Sequence, residues 1–208
     1  MKKQAAANYG RLNAPIDGKE YRGYGFLDAL DAVSGGQDQA DEAKAGTWMK
    51  DAFGWWYRYE DGSYPASAAI AIGGATYRFD ARGYMVTGWV REAGQWFYYG
   101  DSGAQAAGWA NVNGIWYYLD PATGAMATGW VFVNGTWYYL SASGAMATGW
   151  VRDGSTWYYL TPSGGMAIGW LHEGDSWYYL GSSGAMVTGT QQVDGTTYTF
   201  GPDGRLRH

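Results

Sequence analysis

The sequence lacks cysteine, so it can form neither a disulfide framework nor a cysteine-based metal site. Charged residues make up only 16% of the chain, the net charge is −5, and no long basic run occurs. Nucleic-acid binding needs clustered lysine and arginine, so the charge argues against a nucleic-acid partner. No apolar run approaches the roughly 18 residues of a membrane-spanning helix, so no membrane span is expected.

Side chains suited to catalysis are also scarce, because the chain has only two histidines, His172 and His208. His172 is predicted in a hairpin turn beside Glu173, where we interpret it as solvated, and His208 is the last residue. No nucleophile-elbow, zinc-protease or phosphate-loop motif occurs. The sequence therefore predicts no enzyme activity, no cofactor and no metal site.

Two groups of acidic residues have non-catalytic interpretations. Asp38, Asp41 and Glu42 could suggest a metal site, but a solvated linker is the favoured interpretation. A second group is predicted in hairpin turns, where it adds a negative field that favours a cation. The members of this second group are Glu92, Asp153, Glu173 and Asp175.

Glycine and aromatic residues are abundant instead, with 34 glycines, 13 tryptophans and 19 tyrosines. Large flat rings must therefore supply most of the buried area. A glycine-rich and aromatic-rich chain with short strand signals is typical of an all-β repeat protein.

The repeat is a Gly-Trp pair that recurs every 20 or 21 residues, followed by a second tryptophan seven residues later. The first tryptophans are Trp89, Trp109, Trp130, Trp150 and Trp170. The second tryptophans are Trp96, Trp116, Trp137, Trp157 and Trp177.

The same register extends to both sides and predicts eight units between residues 46 and 208. In the first unit Trp48 and Trp55 hold the two positions. The second and eighth units have lost the pair, and their residues are Ala69, Thr76, Thr190 and Thr197.

Each unit has the pattern of a β-hairpin. In the fifth unit, residues 130–133 and 136–140 are predicted strands, and Asn134-Gly135 is a two-residue turn with positive φ. This register places Trp130 opposite Tyr139, with Trp137 on the same face. One hairpin is marginal alone, so we predict an all-β solenoid of about eight stacked β-hairpin repeats.

The first part of the chain does not repeat. We predict a non-repeat N-terminal segment and linker over residues 1–45, with a short helix near 25–34, and the solenoid over 46–208. Residues 37–45 are predicted to be a linker or a short solvated helix. No export signal is recognisable, so a protein that works outside the cell would carry it elsewhere, and we expect this chain to be a fragment.

The segment Gly149–Leu160, followed by Ser163-Gly164-Gly165-Met166, resembles the choline-binding or cell-wall-binding repeat of Gram-positive bacteria and their phages. This resemblance implies a left-handed superhelix, a location at the bacterial cell surface, and attachment to choline or phosphocholine groups of teichoic acid. It also implies possible dimers through terminal hairpins. Related repeats bind glucans. A weaker resemblance links Tyr24–Val33 to the last helix of subtilisin-like proteases.

In this family a choline site resembles a cage of two tryptophans from one hairpin and a tyrosine from the next, with a methionine nearby. Carried over to this sequence, the resemblance implies four complete cages. They are Trp89, Trp96 and Tyr118; Trp109, Trp116 and Tyr139; Trp130, Trp137 and Tyr159; and Trp150, Trp157 and Tyr179. The nearby methionines are Met126, Met146, Met166 and Met186, and Gln105 interrupts this series.

Two further pairs lack the cage tyrosine. Trp170 and Trp177 meet Thr199, which implies a weak or absent site. In the first unit the tyrosine is replaced by Arg78, whose guanidinium is expected to stack on the rings and close the site to choline.

Without the resemblance, the role of the repeated tryptophans stays open, because repeated tryptophans also form the cores of β-solenoids. The tyrosines that precede the cage tyrosines are predicted to be core: Tyr117, Tyr138, Tyr158 and Tyr178. A choline-binding module is the favoured function, with a glucan or carbohydrate module and a structural spacer as alternatives. Replacing Trp130 or Trp137 by alanine is expected to abolish binding and leave the solenoid folded.

Overall fold

The computed structural model describes residues 44–207, together with the backbone of a two-residue strand at Asp41–Glu42. The helix expected near residues 25–34, the subtilisin-like segment and His208 lie outside the described residues. Within the described residues the regular structure is all β, which confirms the predicted fold class.

Strands of five residues follow one another in antiparallel pairs, and a two-residue strand stands at either end. The strands are β1 (Asp41–Glu42), β2 (Gly46–Lys50), β3 (Trp55–Tyr59), β4 (Ala68–Ile72), β5 (Ala75–Phe79), β6 (Gly88–Glu92), β7 (Gln95–Tyr99), β8 (Gly108–Val112), β9 (Ile115–Leu119), β10 (Gly129–Val133), β11 (Thr136–Leu140), β12 (Gly149–Asp153), β13 (Thr156–Leu160), β14 (Gly169–Glu173), β15 (Ser176–Leu180), β16 (Gly189–Val193), β17 (Thr196–Phe200) and β18 (Leu206–Arg207). The pairs β2–β3 to β16–β17 form eight hairpins, here numbered 1 to 8 in chain order.

The register within the hairpins is the one that the sequence predicts. In hairpin 5 Trp130 pairs with Tyr139 and Val133 pairs with Thr136 across the turn. The turn residues Asn134 and Gly135 have φ values of 49° and 84°, which a two-residue turn of this hand requires. Cross-strand pairing therefore fixes which side chains share a face of each hairpin.

The two faces of a hairpin differ in character. In hairpin 5 one face carries Trp130, Trp137 and Tyr139, and we call it the tryptophan face. The opposite face carries Val131 and Leu140, which are both buried. Because side chains alternate along a strand, one sequence stretch supplies both faces.

The chain divides into two compact units, and each is described on its own. One contains hairpins 1–4 and the other contains hairpins 5–8. In the unit with hairpins 5–8, Trp130 on the tryptophan face of hairpin 5 packs against Tyr158 of hairpin 6, together with Leu160. In the other unit the corresponding core is Tyr57, Ile70 and Phe79. Large rings therefore dominate both cores, as the composition predicts.

A backbone hydrogen bond connects the turn that follows a hairpin to the preceding hairpin in the chain. Met166, in the turn after hairpin 6, donates its N–H to the carbonyl of Trp137 in hairpin 5 at 2.8 Å. Met186 makes the same bond to Trp157 at 2.8 Å. The link spans one repeat, so the strands of Trp137 and Trp157 are each held by the segment that follows the next hairpin.

The side chain of each such methionine lies over a glycine of the following turn. A Cβ built on Gly184 would overlap the sulfur of Met166, and one built on Gly204 would overlap that of Met186. Gly184 also has a φ of +80°, a conformation that favours glycine. Glycine is therefore required here both by the backbone and by the neighbouring thioether.

One local expectation is wrong at the start of the described chain. Asp41–Glu42 was predicted to lie in a linker or short helix, but it forms β1 and pairs in parallel with β4, with Asp41 beside Ile70. An added strand satisfies backbone groups at the edge of hairpin 2 that would otherwise face solvent. No helix among the described residues is long and apolar enough to cross a membrane.

Candidate ligand-binding site

The five strong repeats present their two tryptophans as a right-angled corner. Within each pair the ring centroids lie 6.2–6.4 Å apart and the ring planes cross at 83–90°. The geometry follows from the register, since the first tryptophan lies in the fourth cross-strand pair from the turn and the second lies in the second pair, which places both on the same face. We call each such pair an indole corner, with an inner first ring and an outer second ring.

The outer ring of most corners is open to solvent. Trp96, Trp116, Trp157 and Trp177 are 40–45% exposed. Trp137 is half-buried, because the ring of its cross-strand neighbour Phe132 packs on it at 5.0 Å. An indole that is this exposed in a folded repeat offers a free surface to a ligand.

The inner rings contact a tyrosine of the next hairpin to differing degrees of cover, since Trp130 is 6% exposed and Trp170 is 37% exposed. Tyr117 lies 4.8 Å from Trp89, Tyr158 lies 4.8 Å from Trp130, and Tyr178 lies 4.9 Å from Trp150. Tyr158 and Tyr178 are buried, which confirms their predicted core role, and Tyr117 and Tyr138 are half-buried. The inner tryptophan thus contributes to the core and to the corner at once.

The predicted cage tyrosines lie on the tryptophan faces of their own hairpins. Each faces the inner tryptophan of its own hairpin at 5.1–5.3 Å, as for Tyr159 and Trp150. The tyrosines in these four contacts are Tyr118, Tyr139, Tyr159 and Tyr179. Their role as a third wall for the preceding corner remains a prediction.

Two of the predicted methionines, Met126 and Met166, are linked to the corners by backbone hydrogen bonds. Met126 donates its N–H to the carbonyl of Trp96 at 2.7 Å, and Met166 does the same for Trp137. Met166 also packs against the core of Trp130 and Tyr158. Met146 lies over Gly164 of the next turn. The methionines therefore support the corner strands, and a contact with ligand remains a prediction.

Three acidic residues occupy strand ends rather than turns, contrary to the sequence-based expectation. Glu92, Asp153 and Glu173 each end the first strand of a hairpin, and Asp175 alone of the four lies in a turn. The last residue of that strand reaches back to the hairpin before it. This position brings a negative charge to the edge of the preceding tryptophan face.

Two of these carboxylates bind aromatic groups of the preceding hairpin. Asp153 accepts a hydrogen bond from Nε1 of Trp130 at 3.3 Å, and Glu173 accepts one from the hydroxyl of Tyr159 at 2.8 Å. The bond to Glu173 raises the pKa of Tyr159 above its usual value. Negative charge beside ring edges increases the attraction of the site for a cation.

The residue that pairs with the outer tryptophan also lies at the corner, and the sequence pattern had not indicated it as a site residue. Lys50 lies over Trp55 at 5.3 Å, Arg152 lies over Trp157 at 6.0 Å, and the ring of His172 lies 4.7 Å from Trp177. His172 is therefore a strand residue packed on an indole, and its prediction as a turn residue was wrong. The position two residues after the first tryptophan was the available signal, since pairing places it on the outer ring.

The tryptophan pair of hairpin 1, Trp48 and Trp55, has a cation beside it, but a different one from that predicted. The nearer nitrogen of Arg78 forms an ion pair with Glu92 at 2.7 Å, and Lys50 is the cation over Trp55. Trp48 is surrounded by rings, with Tyr77 at 4.8 Å and Phe79 at 5.9 Å. The expectation of a first site closed to choline therefore remains, with Lys50 in place of the guanidinium.

The eighth hairpin replaces the aromatic corner by a polar pair. Gln192 donates from Nε2 to the hydroxyl of Thr197 at 2.8 Å across the strands. Trp170 of hairpin 7 meets Tyr198 at 4.8 Å, and Thr199 is exposed. Thr199 offers no ring to a ligand at the seventh corner.

The described tryptophan faces consist of aromatic rings with a few carboxylates at their edges. No group of three or more histidine or acidic side chains in residues 44–207 is arranged to hold a metal ion. Such a surface can hold a cation by its ring faces or a flat apolar face by stacking.

The comparisons with known proteins agree with this geometry. The model of the choline-binding repeat matches residues 67–107, 106–148, 127–169 and 147–190, which together cover more than half of the chain. No curated protein matches the chain.

Solved structures from Streptococcus pneumoniae are similar to this chain. CbpJ from strain TIGR4 is 40% identical with a TM-score of 0.72, and the match covers 78% of this chain and 58% of CbpJ. Choline binding protein F is 39% identical with a TM-score of 0.70, and the match covers 79% and 58%. The same protein in the presence of a peptidoglycan analogue is 38% identical with a TM-score of 0.71 and the same coverage. This chain thus spans 58% of the length of these relatives, and it belongs to the choline-binding repeat family.

Proposed function

We propose that the indole corners bind choline-type quaternary ammonium groups of a bacterial envelope polymer, with teichoic acid as the carrier. In this proposal the chain is a non-catalytic module that attaches a surface or secreted protein to the cell wall. In this proposal the protein is located outside the bacterial cell, at its surface.

The single observation that carries this proposal is the repeated right-angled corner with an exposed outer ring. Choline carries a permanent positive charge within a shell of methyl groups and has no N–H to donate. Hydrogen bonds therefore cannot hold its head group, whereas ring faces attract the charge and cover the methyl groups. Two perpendicular rings enclose such a sphere better than two parallel rings would.

Local charge supports a cation over a neutral ligand at these corners. Asp153 and Glu173 lie at the edges of the corners of hairpins 5 and 6, where they bind Trp130 and Tyr159. A carboxylate next to the ring edge leaves negative potential close to the place of the ligand.

One corner gives only weak binding. A cation–π contact contributes roughly 0.5–2 kcal/mol per ring, so several corners must act together for firm attachment. Corners joined in one chain and ligands joined in one polymer raise the avidity by roughly 10²–10⁴. Repetition of a weak site is thus sufficient for a tether.

The carbohydrate alternative lacks side-chain amides at the corners. Amide groups, which both donate and accept, are the partners that sugar hydroxyl groups would need beside the carboxylates. The asparagines that could supply them serve turns, since Asn111 accepts the N–H of Gly114 at 3.0 Å and Asn113 and Asn134 occupy positive-φ turn positions. We therefore keep a glucan module and a structural spacer as alternatives for the experiment.

Chromatography on a diethylaminoethyl resin tests the proposal, because the resin bears choline-like amines. We expect the chain to be retained in about 1 M salt, which screens simple charge attraction, and to elute with free choline. Elution by a glucan oligomer instead would support the carbohydrate alternative. A chain that passes through both an amine resin and a glucan resin would contradict the proposal and leave the spacer.

A further inference from the structure

A cleft of about 180 Å³ lies on hairpin 1 and the turns next to it, away from the indole corners. Its lining residues are Asp51, Trp56, Tyr64, Arg82, Gly83 and Tyr84. The other repeats lack the residues that build it.

Two tyrosines create the cleft by departing from the repeat pattern. Tyr64 takes the position of the turn methionine, and its ring lies over Gly83 as Met85 lies over Gly103. Tyr84 stands where later turns have alanine or glycine, such as Gly165. Both changes replace small or flexible side chains by flat walls with a hydroxyl group.

The walls meet at an angle and are held in place. The rings of Trp56 and Tyr64 lie 6.1 Å apart at 80°. The hydroxyl of Tyr84 donates to Oδ2 of Asp51 at 3.1 Å, and the backbones of Trp56 and Tyr84 form an antiparallel bridge. The cleft is therefore a formed feature of the fold and needs no rearrangement to open.

The charged groups of the cleft each have a partner within the protein. Asp51 is fixed by the N–H groups of Phe53 at 2.8 Å and Gly54 at 3.2 Å, which keep its carboxylate aimed at Tyr84. Arg82 lies over the ring of Tyr84 at 5.6 Å and forms an ion pair with Asp80 at 3.5 Å, and its side chain is 75% exposed. A carboxylate acceptor and a guanidinium donor thus flank aromatic walls.

This combination disfavours a quaternary ammonium ion and fits a neutral sugar. The guanidinium of Arg82 already lies over the ring of Tyr84, where a quaternary ammonium ion would have to bind, and the carboxylate of Asp51 repels an anion such as phosphate. A pyranose ring has an apolar C–H face that stacks on an aromatic ring and hydroxyl groups at its rim that both donate and accept. The cleft is smaller than the roughly 300–1,000 Å³ of a drug-sized pocket, which limits it to about one sugar ring.

We propose that the cleft formed by Trp56, Tyr64 and Tyr84, with Asp51 and Arg82, is a second binding site that takes one ring of a neutral saccharide. Its ligand class differs from that of the indole corners, and it does not depend on them. A module with both sites would contact two different groups of an envelope polymer.

Saturation-transfer-difference NMR on the full 208-residue chain tests this site. The probes are isomaltotriose and the trimer of N-acetylglucosamine, with choline chloride and inorganic phosphate as charged competitors. We expect saturation of the C–H protons of one sugar ring in at least one trimer, unaffected by about 10 mM choline or phosphate.

Matched variants connect the signal to the cleft. Tyr64→Ala removes an exposed wall and should weaken saccharide binding about tenfold, whereas Tyr64→Phe keeps the wall and should keep binding. Asp51→Asn should weaken it as well. Trp157→Ala, in an indole corner of the other unit, should leave the saccharide signal unchanged and reduce choline binding. Thermal melts of each variant verify the fold.

Absence of saturation in both trimers would overturn the proposal. It would also be overturned by a saccharide signal that survives Tyr64→Ala in a folded chain, or that choline or phosphate displaces. None of these results affects retention on the amine resin, so the two proposals fail separately.

Discussion

At the scale of single residues, tryptophans that look alike in sequence differ in burial. Trp130, the inner ring of hairpin 5, is 6% exposed and donates to Asp153, whereas Trp157, the outer ring of hairpin 6, is 40% exposed. The burial of Trp130 changes the expectation that its replacement would leave the fold intact. The sequence alone could not separate the two, because burial depends on which face of the next hairpin covers the ring.

The first prediction uses this difference. Trp157→Ala should reduce choline binding while the melting temperature stays close to that of the parent chain. Trp130→Ala should instead lower stability by about 3–5 kcal/mol, because it leaves a cavity among buried rings. Urea unfolding followed by tryptophan fluorescence measures the stability, and equilibrium dialysis with choline measures the binding. Equal destabilisation by both variants would contradict the distinction.

The second prediction concerns the cation that the chain places over its own outer ring. Arg152 lies over Trp157 at 6.0 Å and competes with any ligand cation for that ring face. Arg152→Gln should therefore strengthen choline binding at this corner by roughly two- to fivefold, equivalent to about 0.5–1 kcal/mol. Titration followed by NMR of the Trp157 indole N–H measures the change.

A charge-matched control separates this effect from the net charge of the chain. Arg58→Gln removes the same charge from an exposed strand position in the other unit. It should leave the choline affinity at Trp157 unchanged. If both variants strengthened binding equally, a general electrostatic effect would explain the result.

At the scale of the element, the hairpin and its register could be predicted from sequence, and its connections could not. Alternation and the Asn134-Gly135 turn fix the pairing locally, so the predicted partners of Trp130 and Val133 were correct. The strand at Asp41–Glu42 escaped prediction because a two-residue parallel pairing leaves no periodic signal. The bond from the methionine N–H to the tryptophan carbonyl also has no sequence signature, since backbone atoms make it.

The third prediction concerns the turn glycines. Gly184→Ala should destabilise the chain more than Gly135→Ala, although both have φ near +80°. Gly135 has open space around its Cβ position, so alanine there costs only the backbone strain of about 1–2 kcal/mol. At Gly184 the new methyl group also overlaps Met166, which adds about 1–3 kcal/mol.

A double-mutant cycle isolates the contact between Gly184 and Met166. Met166→Ala combined with Gly184→Ala should recover part of the excess loss, because the methyl group then enters the space of the thioether. Chemical denaturation of the four chains gives the coupling energy. Strict additivity would show that backbone strain alone explains the effect.

At the scale of the whole molecule, acid and alkali should weaken the fold through different residues. The hydroxyl of Ser63 holds the pKa of Asp61 at about 2, and backbone N–H groups of Phe53 and Tyr84 hold the pKa values of Asp51 and Asp80 below 3.8. A carboxyl whose folded pKa is lowered stabilises the fold above its unfolded pKa and loses that effect as the pH falls through the folded pKa. Burial raises the pKa of Tyr99, so its contribution is present below pH 10.0 and lost above it.

The fourth prediction is therefore a stability plateau between about pH 5 and pH 9, with a decline toward pH 2 and another above pH 10. Urea midpoints measured across this range give the profile. Asp61→Asn should flatten part of the acid limb and leave the alkaline limb unchanged. A decline that began between pH 5 and pH 8 would contradict this assignment.

The indole corners could be located from sequence, because they depend on spacing along one hairpin. The cleft beside Tyr64 and Tyr84 could not, because its walls come from a strand and from turns that are up to 33 residues apart, as Asp51 and Tyr84 are. Asp51 and Tyr84 come into contact only in the folded protein. A site formed within one hairpin can thus be predicted from the sequence, whereas a site formed between turns can be recognised only in the folded structure.

Met166 and Met186 pack over the glycines of the following turns. The contacts between successive hairpins are therefore sensitive to oxidants. Peroxide converts a thioether to a sulfoxide, which is polar and larger than the thioether that packs on the glycine. We expect oxidation to loosen the contact between successive hairpins while the indoles are still chemically intact. Reductive repair by methionine sulfoxide reductase would then restore this contact without new synthesis of the protein.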